Sequence, residues 1–188
     1  MTTAPPDPRD EPDRTGVQAL AGSLQALAPA DELALRALAA AYAAGVDRRD
    51  GEVLGAAFHE DATLTVEGRQ GRRPLPSHTH TGREAIAGIV ELLARNEATF
   101  HHLGQSRYER TGPGRATGEV YCEAHHLRIG LDGPDRPEVD RIMYIRYRDD
   151  YRHDPELGWR IAARVVQVDW TEDRPLGWTD RDREETAP

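Results

Sequence analysis

The sequence predicts an α+β fold in which N-terminal helices pack on one face of a curved, mainly antiparallel sheet. Three observations carry this reading. Apolar residues recur at helical spacing in the first half of the chain. After residue 97 the period changes from about 3.6 to 2. The period-2 stretches are then punctuated by turn signals, GPG at 112–114, DGPDRP at 132–137 and PELG at 155–158. The 188 residues suit one domain. That domain is expected over 17–172, between a disordered Pro-, Asp- and Arg-rich tail at 1–16 and a second tail at 173–188.

In chain order, VQALAGSLQALA (17–28) suggests a short helix ended by Pro29. Residues 31–47 form the first firm helix, with Asp31 as N-cap and Glu32 favouring the positive helix end. Its stripe is Leu35, Leu38, Tyr42 and Val46. A second short helix is expected at 50–58 and a strand at 62–66 (ATLTV), then a polar loop through 80. Thr81 and Glu84 make a capping box for a helix whose apolar face is Ile86, Ile89, Val90 and Leu93. Strands are expected at 99–110, 116–131, 138–151 and 159–170.

Composition excludes several chemistries. The 24 basic residues are all Arg, so no lysine is available for a Schiff base, a pyridoxal-phosphate linkage or a P-loop. The net charge of −9 with scattered Arg argues against nucleic acid. No window is apolar enough to span a membrane, and the N-terminus lacks an export signal pattern, so the chain is expected in the cytoplasm. Cys122 is the only cysteine, which excludes an intramolecular disulfide and a cysteine-based zinc site.

Eight histidines remain, six of them in three pairs: His78/His80, His101/His102 and His125/His126. Histidine titrates near neutrality, which makes these pairs the first candidates for acid–base work. The run His78-Thr-His80-Thr-Gly-Arg-Glu84 imitates the metal-ligand spacing of cupins. That reading is set aside, because cupin ligands project from strands, whereas here a solvated loop and a helix cap explain each residue. Neighbours on a strand face opposite ways. Val120, Cys122, Ala124 and His126 share the small, apolar face, so His126 is expected inside and His125 outside. His101 shares its parity with Leu103, although Gly104 offers a place for a bulge. Asp47 closes the first helix beside small residues.

The order Tyr42-(x)4-Asp47-(x)2-Asp50, Thr99-Phe100-His101, a His in the next strand and a closing Trp159-Arg160-Ile161-Ala162…Trp170 resembles the SnoaL-like branch of the nuclear transport factor 2-like superfamily. The resemblance spans roughly 31–172 and implies a cone-shaped fold. Through the relative scytalone dehydratase it implies Asp47, His101 and His126 as the catalytic set. Both phenols that flank the site in that relative are replaced, by Val46 and Val66, and Tyr42 stands at a spacing found in bile-acid dehydratases. Tyr42, Val46, Val66, Cys122 and Ala124 are therefore the expected substrate contacts. The implied function is a cofactor-free dehydratase, cyclase or isomerase acting on a small hydrophobic carbonyl or hydroxy-carbonyl compound. Asp47 and His101 form the base, and His126 is the acid or enolate stabiliser. The alternative is a non-catalytic ligand-binding module or a dioxygenase β-subunit-like protein of the same fold. No metal is expected. A homo-oligomer is expected through the outer sheet face, with Arg141, Tyr144, Arg146 and Arg148 contributing.

Overall fold

The computed structural model describes residues 26–70, 73–129 and 138–177. Helix α1 (Pro29–Arg48) is followed by α2 (Gly51–Ala56), strand β1 (Phe58–Gln70) and two short strands, β2 (Arg73–Pro74) and β3 (His78–Thr81). Two short helices come next, α3 (Arg83–Ala87) and α4 (Ile89–Leu93). Four long strands complete the order: β4 (Ala98–Gly112), β5 (Arg115–Arg128), β6 (Val139–Asp154) and β7 (Gly158–Pro175). The sheet runs β2-β1-β7-β6-β5-β4, with β3 paired to β1. All its pairs are antiparallel except β1 with β7. This is the expected α+β arrangement.

The core lies between the helices and the inner face of the sheet. Leu35, Leu38, Tyr42 and Val46 of α1 are all buried, as their spacing predicts. They meet Val120, Cys122 and Ala124 of β5 and Ile145, Tyr147 and Tyr151 of β6 in one cluster. Helix α2 folds back closely on α1. A Cβ on Gly45 would lie 2.7 Å from the backbone N of Leu54, so only glycine permits that approach.

Several local expectations are corrected. Pro29 opens α1, where its missing N–H is tolerated, and residues 26–28 just before it are not helical. Asp31 lies inside the first turn and is not the N-cap. Its carboxylate instead accepts from Trp159 Nε1 at 2.8 Å and Arg110 Nη2 at 2.7 Å, which ties the start of α1 to β7 and β4. The capping box does not form: Thr81 ends β3, and Gly82, at φ 88°, takes the N-cap position of α3. The expected single helix breaks at Gly88 into α3 and α4. The segment before it, expected as a loop, contains β3, which pairs residue by residue with β1 from Thr63↔Thr81 to Val66↔His78. Strand β7 continues to Pro175, so residues 173–175 belong to the sheet and not to a tail. The Leu176 N–H then donates to the Glu138 carbonyl. The expectations for residues 1–16, the rest of the 17–28 helix before residue 26, the turn at 132–137 and the end of the tail from 178 lie outside the described residues.

Candidate active site

Asp47 is the penultimate residue of α1, and Arg49, just beyond the helix, sets its direction. Arg49 adopts a left-handed φ of 57°, and its Nη2 donates to the carbonyls of Asn96 (2.6 Å) and Glu97 (2.9 Å). The end of α1 is thereby anchored to the segment that enters β4, and Asp47 faces that strand. The Asp47 carboxylate receives three hydrogen bonds from it. His101 Nδ1 lies 2.6 Å from Oδ1, the His101 backbone N–H donates to Oδ2 at 2.9 Å, and Thr99 Oγ1 donates to Oδ1 at 3.1 Å. The Thr99-Phe100-His101 triplet is thus a carboxylate clamp: alternation puts Thr99 and His101 on one side, and the backbone between them adds a donor.

Burial pushes the Asp47 pKa up, but hydrogen bonds from the His101 ring and backbone and from Thr99, with the nearby His101 charge, outweigh it and hold the carboxyl below its ordinary value. An ionised Asp47 at Nδ1 keeps the proton on that nitrogen and leaves Nε2 as the basic one. The tautomer is assigned from this pairing.

His126 reaches the same place from β5. Its ring centroid lies 5.9 Å from that of His101, with the planes at 76°. Tyr42 meets His101 edge-on at 6.5 Å from the other side. Burial drives the His126 pKa down to about 4; the neighbouring His101 adds to the fall and backbone contacts at Arg141 and Ala124 offset part of it. His126 is therefore neutral at pH 7, and its Nδ1 has no hydrogen-bond partner among the described residues. Burial likewise pushes the Tyr42 phenol up to about 12, with the Arg164 cation against its face offsetting part of the rise. Tyr42 is a protonated donor throughout the physiological range.

The His126 shift has a consequence for stability. Between pH 6.5 and 4 the unfolded chain takes up a proton there that the folded chain refuses, so folding loses free energy as the pH falls through that window. The full gap corresponds to about 3 kcal/mol. Urea unfolding of the wild type and His126→Gln at pH 7.5 and 4.5 checks this: the wild type is expected to lose about 2–3 kcal/mol more than the variant. Equal acid sensitivity would remove the account.

These groups open on a cavity of about 640 Å³, within the range of small-molecule sites. Its walls are mostly apolar, from Leu64, Val66, Leu75, Ile89, Met143, Ile145 and Val166. Tyr42, His101, His126 and Tyr147 supply polar groups from within. Of the expected substrate contacts, Tyr42 and Val66 line this cavity. Val46, Cys122 and Ala124 do not line it, because they are packed against one another's elements in the core cluster between α1 and the sheet. Burial pushes the Cys122 thiol up to about 11, so it is no thiolate nucleophile. The histidine pairs divide as alternation predicts. His126 faces in, and His125 faces out, with its Nδ1 2.7 Å from Asp140 Oδ2. His101 is in and His102 is exposed, ahead of a register shift between Leu103 and Ser106.

Residues 28–165 match the family described as SnoaL-like domain. The chain belongs to that SnoaL-like family. Its fold is shared with several solved structures of low sequence identity. The Kfla4162 protein of Kribbella flavida is 19% identical at a TM-score of 0.62, over 76% of this chain and 93% of that one. A hexachlorocyclohexane dehydrochlorinase, LinA-type3, of Novosphingobium barchaimii is 18% identical at 0.61, over 81% and 97%. A protein provisionally assigned as a scytalone dehydratase in Novosphingobium aromaticivorans is 22% identical at 0.59, over 80% and 95%. No curated protein matches the chain.

This SnoaL-like chain also holds site residues that sequence reasoning did not pick out. Arg164 is 1% exposed, beneath the cavity floor. Its guanidinium stacks 4.3 Å from the ring centroids of both Tyr42 and Tyr147. It pairs in two-pronged fashion with Asp149, at 2.7 and 2.6 Å. Burial works against the Arg164 charge, and Asp149 more than offsets it, so its pKa is raised. The signal was readable: Arg164 shares its parity with Val166 and Val168, and Asp149 sits between the inward Tyr147 and Tyr151. His78 and His80 line the cavity from β3, correcting the loop expectation. Arg141 also lines the cavity, with Asp173 as partner through Nε and Nη2 at 2.7 and 2.6 Å. It therefore does not belong to the outer-face group expected to form oligomer contacts. Tyr144 of that group does face outward, stacked on Trp170 at 4.4 Å.

Proposed function

We propose that the protein is a cofactor-free acid–base lyase or isomerase, dehydratase- or cyclase-like, acting on a hydrophobic carbonyl or hydroxy-carbonyl compound. The observation that carries this reading is the Asp47–His101 pair at 2.6 Å, opening on a largely apolar cavity of about 640 Å³. Two structural neighbours, one named as a dehydrochlorinase and one provisionally as a dehydratase, support the same reaction class.

In this mechanism His101 Nε2 removes a proton α to the carbonyl. Asp47 stabilises the imidazolium that forms. The electron pair moves to the carbonyl oxygen, where Tyr42 and a neutral His126 donate hydrogen bonds to the enolate. His126, with its pKa near 4, serves as a neutral donor and not as an imidazolium acid. In an elimination the enolate expels a β-hydroxyl, which takes the proton from His101 and departs as water. In an isomerisation the same proton returns to another carbon.

The test reads α-proton exchange. Wild-type protein is incubated in deuterium oxide with a panel of β-hydroxy ketones. Deuterium incorporation is read by mass spectrometry, and enone formation by ultraviolet absorbance. Exchange or elimination with the wild type but not with Asp47→Asn is expected. Its absence across the panel favours the non-catalytic alternative.

A further inference from the structure

The cavity carries a charge bias that its apolar walls do not require. Arg95, Arg128, Arg141, His78 and His80 line it, apart from the neutral His126 and the Asp47-paired His101. Among the described residues no aspartate or glutamate does. The chain as a whole has the opposite balance, 33 acidic residues against 24 basic. The lining thus runs against the balance of the chain as a whole.

The register shows where the basic groups collect. Arg128 pairs with Val139, and Arg141 with His126, at the end of the sheet where β5 finishes and β6 begins. Arg95 lies between α4 and the start of β4, and β4 begins opposite Leu127 at that same end. His78 and His80 flank the cavity from β3, opposite Val66 and Leu64. Arg128 and Arg141 hold partners of their own, Arg141 through Asp173. Arg95, His78 and His80 make no side-chain hydrogen bond or ion pair among the described residues. Each imidazole can offer an N–H whether or not it is charged. A cleft of one sign with low-dielectric walls focuses its field on an entering ion.

We infer that the substrate is an amphipathic anion. Its apolar body carries the reacting carbonyl toward His101, and its carboxylate or comparable acidic group is held by Arg95 on the wall beside β4, with His78 and His80 offering N–H donors from the β3 wall. This deepens the reading given under Proposed function and rests on it for the reaction, but it concerns binding alone.

The test uses 2-naphthoate and its neutral isostere 2-naphthamide as probes. Both are titrated calorimetrically into the full-length protein at pH 7.5 and low salt. The wild type is expected to bind naphthoate at least tenfold more tightly than naphthamide. Arg95→Gln, a change at an exposed position, is expected to reduce naphthoate affinity severalfold and leave naphthamide unchanged. A His78→Gln/His80→Gln variant should shift the ratio in the same direction, and 0.5 M salt should narrow it. Equal affinity for the two probes, no binding of either, or a preference that neither variant alters would overturn the inference. The same preference in Asp47→Asn separates the two proposals. If the anion preference persists while the wild type exchanges no α-proton, the binding inference stands and the catalytic reading fails.

Discussion

Replacing His101 with alanine is expected to lower turnover by about 10²–10⁴-fold, the usual worth of a positioned general base. Asp47→Asn should cost a similar factor. An amide cannot stabilise the imidazolium, and its NH₂ or carbonyl group must face three donors now supplied to a carboxylate by His101 and Thr99. Because the two residues act as one unit, the double variant should be little worse than the worse single. Measurement of kcat and kcat/KM for all three variants decides it, with far-UV circular dichroism as the folding control. The fall should lie in kcat, since neither group is asked to hold the ground state. A single variant retaining a tenth or more of wild-type turnover would mean that the base lies elsewhere in the cavity. Thr99→Val is a graded companion. It removes one donor of the three and is expected to weaken, not abolish, the effect of the clamp.

The second large effect concerns stability. Arg164→Met strands the Asp149 carboxylate, which is 3% exposed and would keep only the Tyr151 hydroxyl as donor, at 2.7 Å. Breaking a buried pair from one side costs about 3–5 kcal/mol. For a chain of this length that lowers the melting temperature by roughly 10 °C. The cation also lies against Tyr42 and Tyr147, so its loss leaves two rings facing a methionine side chain in place of a planar partner. The double variant Arg164→Met/Asp149→Asn should recover most of the loss, because no charge is left uncompensated. Thermal and urea unfolding of the single and double variants check this. A single variant as stable as the wild type would show that the ion pair does not brace the cavity floor.

The legible parts of the sequence are those governed by periodicity over long elements. The α1 stripe and the alternation of β5 give the inward direction of Tyr42 and His126 without reference to other strands, since each element buries one face against a large partner. The features that escape have non-local causes. Strand β3 is four residues long and mostly exposed, and it exists because β1 offers it an edge; HTHT has no apolar alternation of its own to announce it. The T-x-x-E signal at Thr81 is overridden by the same pairing, which holds Thr81 in an extended conformation and hands the helix start to Gly82. The Asp31 carboxylate reads as a cap because nothing near it in sequence reveals Trp159, which lies 128 residues away. The Asp47–His101 contact is legible only through family resemblance. Helical spacing alone puts Asp47 beside small residues and does not aim it at β4. The Arg164–Asp149 pair is open to inference from parity: a charge on a core-facing position requires an opposite charge on another such position, and β6 offers Asp149.

The parallel contact between β1 and β7 bears on biosynthesis. Val66 and Val166 are partners across a hundred residues of chain, and β1 borders no other long strand. During translation β1 must wait for β7, its main-chain edge open while β4, β5 and β6 can already zip as local hairpins. A nascent chain halted before β7 would present two unsatisfied edges, β1 and β6, both ready to pair with a neighbour's. Strand β7 is thus the closing stitch, the element whose pairing covers the inner edges of both β1 and β6.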